Sequence, residues 1–251
     1  MKKSWLWAGL ALCAAVAPVR ADQIKVLTAG AFKPVVAALA PAFEQRSGHQ
    51  LKIENDTAGA LARRIVGGEA FDLVVLTEPA LRSLARDGKV LPAAPVPLAR
   101  VAIGVAVPQG APAPDISSVE AFQRALLAAR KVAYIDPAAG GSSGIYLTQL
   151  FERLGIAEQV KAKSVLVPGG LVAQRLVSGE ADLAIHQISE ILAVPGARLV
   201  GPLPAPIQNH TVYAGAVSAA SPSQTAAKAF LDLLAGEEAR AVLKDKGMEE
   251  P

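Results

Sequence analysis

The 251-residue chain reads as an α/β protein with largely parallel sheets. Two observations predict this. Short apolar runs of strand length alternate with segments of helical periodicity, the pattern that builds helices onto a sheet. Loops rich in Gly, Ala, Ser and Thr separate a strand from the helix that follows it. No repeat of solenoid spacing and no long low-complexity run points elsewhere. In order, residues 24–27 form a short apolar strand, and residues 34–46 a helix closed by Gly48. Residues 51–54 are a second strand, followed by a helix over 58–66. Residues 71–76 read as a buried strand and 80–87 as a short helix stopped by Gly88. A long apolar strand over 101–107 precedes a helix over 119–130. Then come strand 131–135, helix 145–154, strand 164–167, helix 171–178 and strand 183–188. The proline-rich stretches 108–114 and 202–206 are extended or turn material.

The N-terminus has the grammar of a cleavable secretion signal: basic Lys2 and Lys3, an apolar run from Trp5, and small residues around Val19-Arg20-Ala21. The apolar run, about 13 residues, is short of the roughly 20 a membrane-spanning helix requires. Residues 1–21 are therefore expected to be removed, leaving a periplasmic protein that begins at Asp22. The leader carries Lys2, Lys3 and Arg20 and no acid, so the chain's net charge of +3 belongs to it. A balanced mature chain gives no support to a nucleic-acid surface, which rests on clustered excess Lys and Arg. The single cysteine, Cys13, also leaves with the leader, so neither disulfides nor thiol chemistry is expected.

Four strand-to-helix loops carry the functional argument. They are Ala29-Gly30-Ala31-Phe32-Lys33-Pro34, Asn55-Asp56-Thr57-Ala58-Gly59, Gly140-Gly141-Ser142-Ser143-Gly144 and Pro168-Gly169-Gly170. A helix N-terminus presents unpaired amide donors and a partial positive charge, and small residues allow close approach. Strand C-termini of an open α/β sheet share one edge, so such loops converge on a cleft suited to a small anion. Asp56 or Thr57 is the expected cap of the second helix.

Over the whole mature length the chain resembles the molybdate-binding proteins of ABC importers, a branch of the type II periplasmic binding proteins. The resemblance is carried by KVLTAGAFKPVVAALAPAFEQRSG (residues 25–48), DTAGALARRIVGGEAFDLVVL (56–76), IDPAAGGSSGIY (135–146) and GEADLAIHQISEI (179–191). It implies two lobes, residues 22–102 with 212–251 and residues 103–211, each a mostly parallel sheet flanked by helices, with the cleft between them. It implies a solute-binding protein that closes over its anion and presents it to a membrane permease, as a monomer without a cofactor. The four loops and the family pattern together give as expected ligand residues Gly30, Ala31, Phe32, Lys33, Thr57, Ala58, Ser142, Ser143, Gly144, Gly169, Gly170 and Gln187. At three positions the chain departs from the family pattern. Ala31 and Ala58 stand where serines are expected, and Gln187 where a tyrosine is. Lost hydroxyls leave a tetrahedral dianion such as molybdate short of donors, which favours an organic carboxylate or another oxyanion.

The alternative is an enzyme on the same scaffold, because aconitate-isomerase-like proteins resemble this family too. A base beside an activated C–H would move a proton within an unsaturated polycarboxylate. His186, Asp56 and Glu190 are the candidate bases. His186 lies in an apolar strand and reads equally as a core or a cleft residue; because neighbouring residues point to opposite faces, a cleft-facing Gln187 would turn His186 toward the core. Arg63, Arg64 and Arg175 read as solvated helix residues that would favour a carboxylate if one turned inward. Gly140 to Gly144 matches G-x-S-x-G, but Ser142 lies well beyond the strand end that a nucleophile elbow requires. His49, His186 and His210 are scattered and do not form a metal site. His49, after a helix-ending glycine, is expected to face solvent.

Overall fold

The computed structural model describes residues 21–92 and 94–251, so the expected leader, apart from Ala21, lies outside the described residues. The first stretch is β1 (Gln23–Ala29), α1 (Lys33–Ser47), β2 (Gln50–Asp56), α2 (Ala58–Val66), β3 (Leu73–Thr77), α3 (Glu78–Arg86) and β4 (Val96–Pro108). Then follow α4 (Val119–Ala128), β5 (Val132–Ile135), α5 (Ser142–Arg153), α6 (Ala157–Lys161), β6 (Ser164–Val167), α7 (Gln174–Val177), β7 (Leu183–Gln187), α8 (Ile188–Leu192) and β8 (Ala197–Pro202). The chain closes with β9 (His210–Val217), α9 (Gln224–Leu234) and α10 (Glu237–Asp245).

Local chemistry explains the principal boundaries. Gly48 ends α1 at φ 73°, in the left-handed region open to glycine. The Thr57 side chain caps α2 by accepting from Ala60 N, while Ala58, Leu61 and Ile65 supply its buried stripe. Ser118 caps α4 in the same way through Ala121 N. The strand expected over 101–107 extends back to Val96, and its register shifts between Pro97 and Ala99, where a proline is tolerated in a sheet.

The strands follow the order β2-β1-β3-β9-β4-β7-β5-β6, with β8 also paired to β4. The pairs β1–β2, β1–β3, β5–β6 and β5–β7 are parallel. Every pairing of β4 or β9 is antiparallel. The expected largely parallel sheets are thus mixed. β4 pairs with β9 up to Ala102 and with β7 and β8 from Ile103, so a single strand runs through both sets of partners. The core divides at the same place. The largest apolar cluster draws on residues 24–101 and 213–248, and the other two on residues between 103 and 207.

Other differences from the sequence reading are local. The helix expected over 171–178 contracts to α7, Gln174–Val177, so the Pro168-Gly169-Gly170 loop opens a turn and not a helix. α5 begins at Ser142, inside the glycine-serine loop. α6, α8 and β8 had no clear periodic signal, because elements of five or six residues span too little chain to show one. His49 does not simply face solvent: it is half-buried, stacks on Phe43 and accepts from Asp22 N at 3.1 Å.

Candidate functional site

A cavity of about 450 Å³ opens where the C-terminal ends of the parallel strands meet. Each of the four small-residue loops reaches it. Gly30, Ala31 and Lys33 come from the first, Asp56, Thr57 and Ala58 from the second, Ser142 and Ser143 from the third, and Gly170 from the fourth. A fifth segment, the junction of β7 and α8, adds His186, Gln187 and Glu190, and β9 adds Tyr213.

Three expected residues fall elsewhere. Phe32 is fully buried in the core, where a large apolar ring is removed from water. Gly144 packs against the end of β5 so closely that a Cβ there would lie 2.1 Å from the Ile135 carbonyl oxygen. Gly169 is exposed and absent from the cavity wall. Thr57 does line the cavity, but its hydroxyl is committed: it accepts from Ala60 N and donates to Ala139 O.

The arginines are also committed. Arg63 donates to Ala139 O at 3.2 Å, and Arg175 pairs with Glu180 at 2.8 Å. Arg64 bridges Glu54 at 2.7 Å and Glu69 at 2.5 Å. Arg64 and Lys25 together pull the Glu69 carboxyl down to about 2. Lys33, exposed at the mouth, is the one Lys or Arg among the described residues lining the cavity. Asp56 is half-buried; one of its oxygens accepts from Thr57 N at 2.8 Å and the other lies 3.9 Å from Arg64. Among the described residues no group of three or more His, Cys, Asp or Glu is placed to hold a metal ion.

The inner wall is different in kind. His186 Nε2 lies 3.3 Å from Glu190 Oε2, with side chains 3% and 9% exposed. The chain turns from β7 into α8 at Gln187, so strand alternation ends there and Glu190, four residues on, folds back over His186. The sequence leaves open whether His186 faces the cavity or the core; both His186 and Gln187 line the cavity. Burial works against both charges, lowering His186 to about 3 and raising Glu190 to about 8. The distance alone fits an ion pair. Desolvating two charges costs more than one contact returns, so the pair is better described as a carboxylic acid beside a neutral imidazole. Gly30 lies opposite: a Cβ there would lie 2.5 Å from Glu190 Oε1, so an added side chain would displace the carboxyl.

Beside this pair, Gln187 Nε2 donates to Ser142 Oγ at 3.2 Å and Thr211 Oγ1 at 2.9 Å. Gln187 Oε1 and His186 Nδ1 are buried without a hydrogen-bond partner. Tyr213, 3% exposed, neighbours both Ser142 and Glu190, and burial raises its phenol above the ordinary range. Sequence reasoning missed Tyr213. It lies on the returning strand, and only the insertion of β9 between β3 and β4 brings it to the cavity.

Contacts also link the two sides of the cavity. Gly59 N donates to Gly140 O at 3.1 Å, and Ser189 Oγ donates to Ala31 O at 2.9 Å.

Comparison with known proteins agrees with this architecture. The chain is 36% identical over 248 residues to a protein from Pseudomonas sp. named aconitate isomerase, covering 95% of this chain and 93% of that one. Its fold matches the periplasmic molybdate-binding protein of Azotobacter vinelandii with a TM-score of 0.75 at 23% identity, over 91% of this chain and 99% of that one. The sulfate-binding protein SubI of Mycobacterium tuberculosis matches with a TM-score of 0.72 at 21% identity, over 91% and 87% of the respective chains. The model of the bacterial extracellular solute-binding proteins matches residues 24–249, and the chain belongs to that family.

Proposed function

We propose that this protein is a periplasmic isomerase that moves a proton within an unsaturated tricarboxylate, interconverting cis- and trans-aconitate. The observation that carries the reading is the buried His186–Glu190 pair on the wall of an anion-suited cavity. Molybdate or sulfate offers no C–H for such a carboxyl group to act on. A carboxyl group poised near neutrality suits proton transfer. The cavity volume falls in the range of about 300–1,000 Å³ usual for small organic ligands. The 36%-identical relative named aconitate isomerase supports the same chemistry.

In this reading Glu190, in its ionised form, removes a proton from the methylene carbon beside a carboxylate. The C–H electron pair enters the conjugated system, and the same group returns a proton to the former vinyl carbon, so the double bond shifts by one position. No oxidant, reductant or cofactor is needed. His186, behind Glu190, holds the carboxyl in place. Lys33 and the N-termini of α1, α2 and α5 receive the carboxylates of the substrate. Asp56, with both oxygens engaged, is the weaker candidate base.

The scaffold reads as two lobes, residues 22–102 with 212–251 and residues 103–211. The change of β4 partners at Ala102 and Ile103 and the division of the core support this. Closure of the lobes would exclude water from the reacting carbon.

The test is to follow cis-aconitate by proton NMR with the purified mature protein and with Glu190→Gln. We expect the trans isomer to form with the wild type, and the variant to bind the substrate but lose turnover by about 10³-fold or more. Wild-type protein that leaves both isomers unchanged overturns the reading. A solute-binding role, delivering a carboxylate to a membrane permease, is the second reading, favoured by the likeness to molybdate- and sulfate-binding folds. Binding without turnover would support it.

A further inference from the structure

The isomerisation places negative charge on the carboxylate next to the carbon that loses its proton, and the cavity holds a donor for that charge that lies outside the acid–base pair. Tyr213 projects from β9 into the same wall, almost wholly buried, beside Ser142 and close to Glu190. Ser142 is the first residue of the twelve-residue α5, so its hydroxyl sits at the positive end of the helix. Ser142 also accepts from Gln187 Nε2, and the buried Gln187 Oε1 has no partner within the protein. The Ser142 and Thr211 hydroxyls can each donate or accept. If both donate to the amide oxygen, the Gln187 nitrogen is released toward the cavity. The wall is therefore a cluster of neutral donors with hydrogen-bonding capacity left over, next to a group that would remove a proton.

We propose that Tyr213 is a catalytic residue of this reaction: its phenol donates a hydrogen bond to the substrate carboxylate that becomes the dienolate. The inference rests on the isomerase reading. The phenol keeps its proton throughout. Glu190 takes the proton from carbon, the electron pair moves toward the carboxylate oxygen, and the hydrogen bond from Tyr213 strengthens as that oxygen gains charge. A neutral donor fixed in a water-poor site favours the charged intermediate over the bound substrate. Tyr213 belongs to the buried core and its strand is paired on both sides, so the ring is held in place before substrate arrives.

The experiment compares wild type, Tyr213→Phe and Ser142→Ala in two measurements. The first is turnover of cis-aconitate. Tyr213→Phe is expected to lower kcat by about 10²–10³-fold with KM changed less than about threefold, and Ser142→Ala to lower kcat by less. A kcat for Tyr213→Phe within threefold of wild type, with the wild type active, overturns the proposal and leaves the isomerase reading standing. The second measurement is binding by calorimetry of two probes, 3-nitropropionate as its nitronate, which carries the charge of the intermediate, and saturated tricarballylate. Tyr213→Phe is expected to weaken the nitronate at least about tenfold more than tricarballylate. If the wild type proves inactive the isomerase reading fails. The nitronate comparison then still decides the phenol's role: equal losses for the two probes overturn it. Unchanged circular dichroism and tricarballylate affinity in Tyr213→Phe separate loss of the donor from loss of the fold.

Discussion

In the isomerase reading, burial sets the strength of Glu190 as a base. Its carboxyl is raised to about 8, so at neutral pH the base form is a minority. kcat/KM for isomerisation should therefore rise about tenfold per pH unit below that value and level off above it. A pH–rate profile read by NMR checks this, and a flat profile between pH 5 and 8 would exclude Glu190 as the base. The position of Glu190 depends on two neighbours. His186 lies on one side, and on the other Gly30 has no side chain to occupy the space taken by the carboxyl oxygen.

Among elements, α2 and the loop leading into α5 meet across the cavity. Gly59 meets Gly140 backbone to backbone, and a Cβ on Gly59 would lie 2.8 Å from Gly140 Cα. Alanine is intrinsically the better helix former by about 1 kcal/mol, so Gly59→Ala should leave α2 at least as stable. The same methyl group blocks the contact between the two sides. If cis-aconitate is the ligand, Gly59→Ala is expected to bind it about tenfold or more weakly while keeping its circular dichroism spectrum, because the binding-competent arrangement becomes less populated. Calorimetric affinity equal to that of the wild type would show that the contact is not needed for binding. Thr57 makes a second link of this kind, capping α2 and reaching Ala139 at once.

At the scale of the whole molecule, the buried pair ties stability to pH. The folded pair holds one proton, on Glu190, between about 3 and about 8. The unfolded chain, with ordinary values of 6.5 for histidine and 4.5 for glutamate, also holds one between those two values. The pair therefore contributes no slope between pH 4.5 and 6.5. Above 6.5 the unfolded state binds fewer protons than the folded one, so stability falls as pH rises, by about 2 kcal/mol up to pH 8. Below 4.5 the unfolded state binds more, and stability falls as pH drops toward 3. Denaturant titrations of the wild type and of the double variant His186→Gln, Glu190→Gln should differ in this way. Parallel curves for the two proteins would show that the pair is not responsible.

Much of this protein is legible in its sequence alone. The α/β class, the bounds of α2 and β6, and the convergence of four small-residue loops on one cavity all follow from local signals. Apolar periodicity, caps and glycine stops act within a few residues, and the shared edge of parallel strands is a general consequence of the architecture. Tertiary structure decided the rest. Whether His186 faced the cavity or the core depended on where β7 ends and α8 begins, and α8 is too short to announce itself. Arg63 and Arg64 were claimed by Ala139, Glu54 and Glu69, partners that folding supplies. Phe32 and Gly144 were drawn into packing by contacts that no local pattern encodes. Tyr213, far along the chain from the four loops, reaches their cavity only because β9 returns between β3 and β4. Local sequence fixes the conformation of a segment through short-range sterics and hydrogen bonds, whereas the partners of a side chain depend on which distant segments the core brings together.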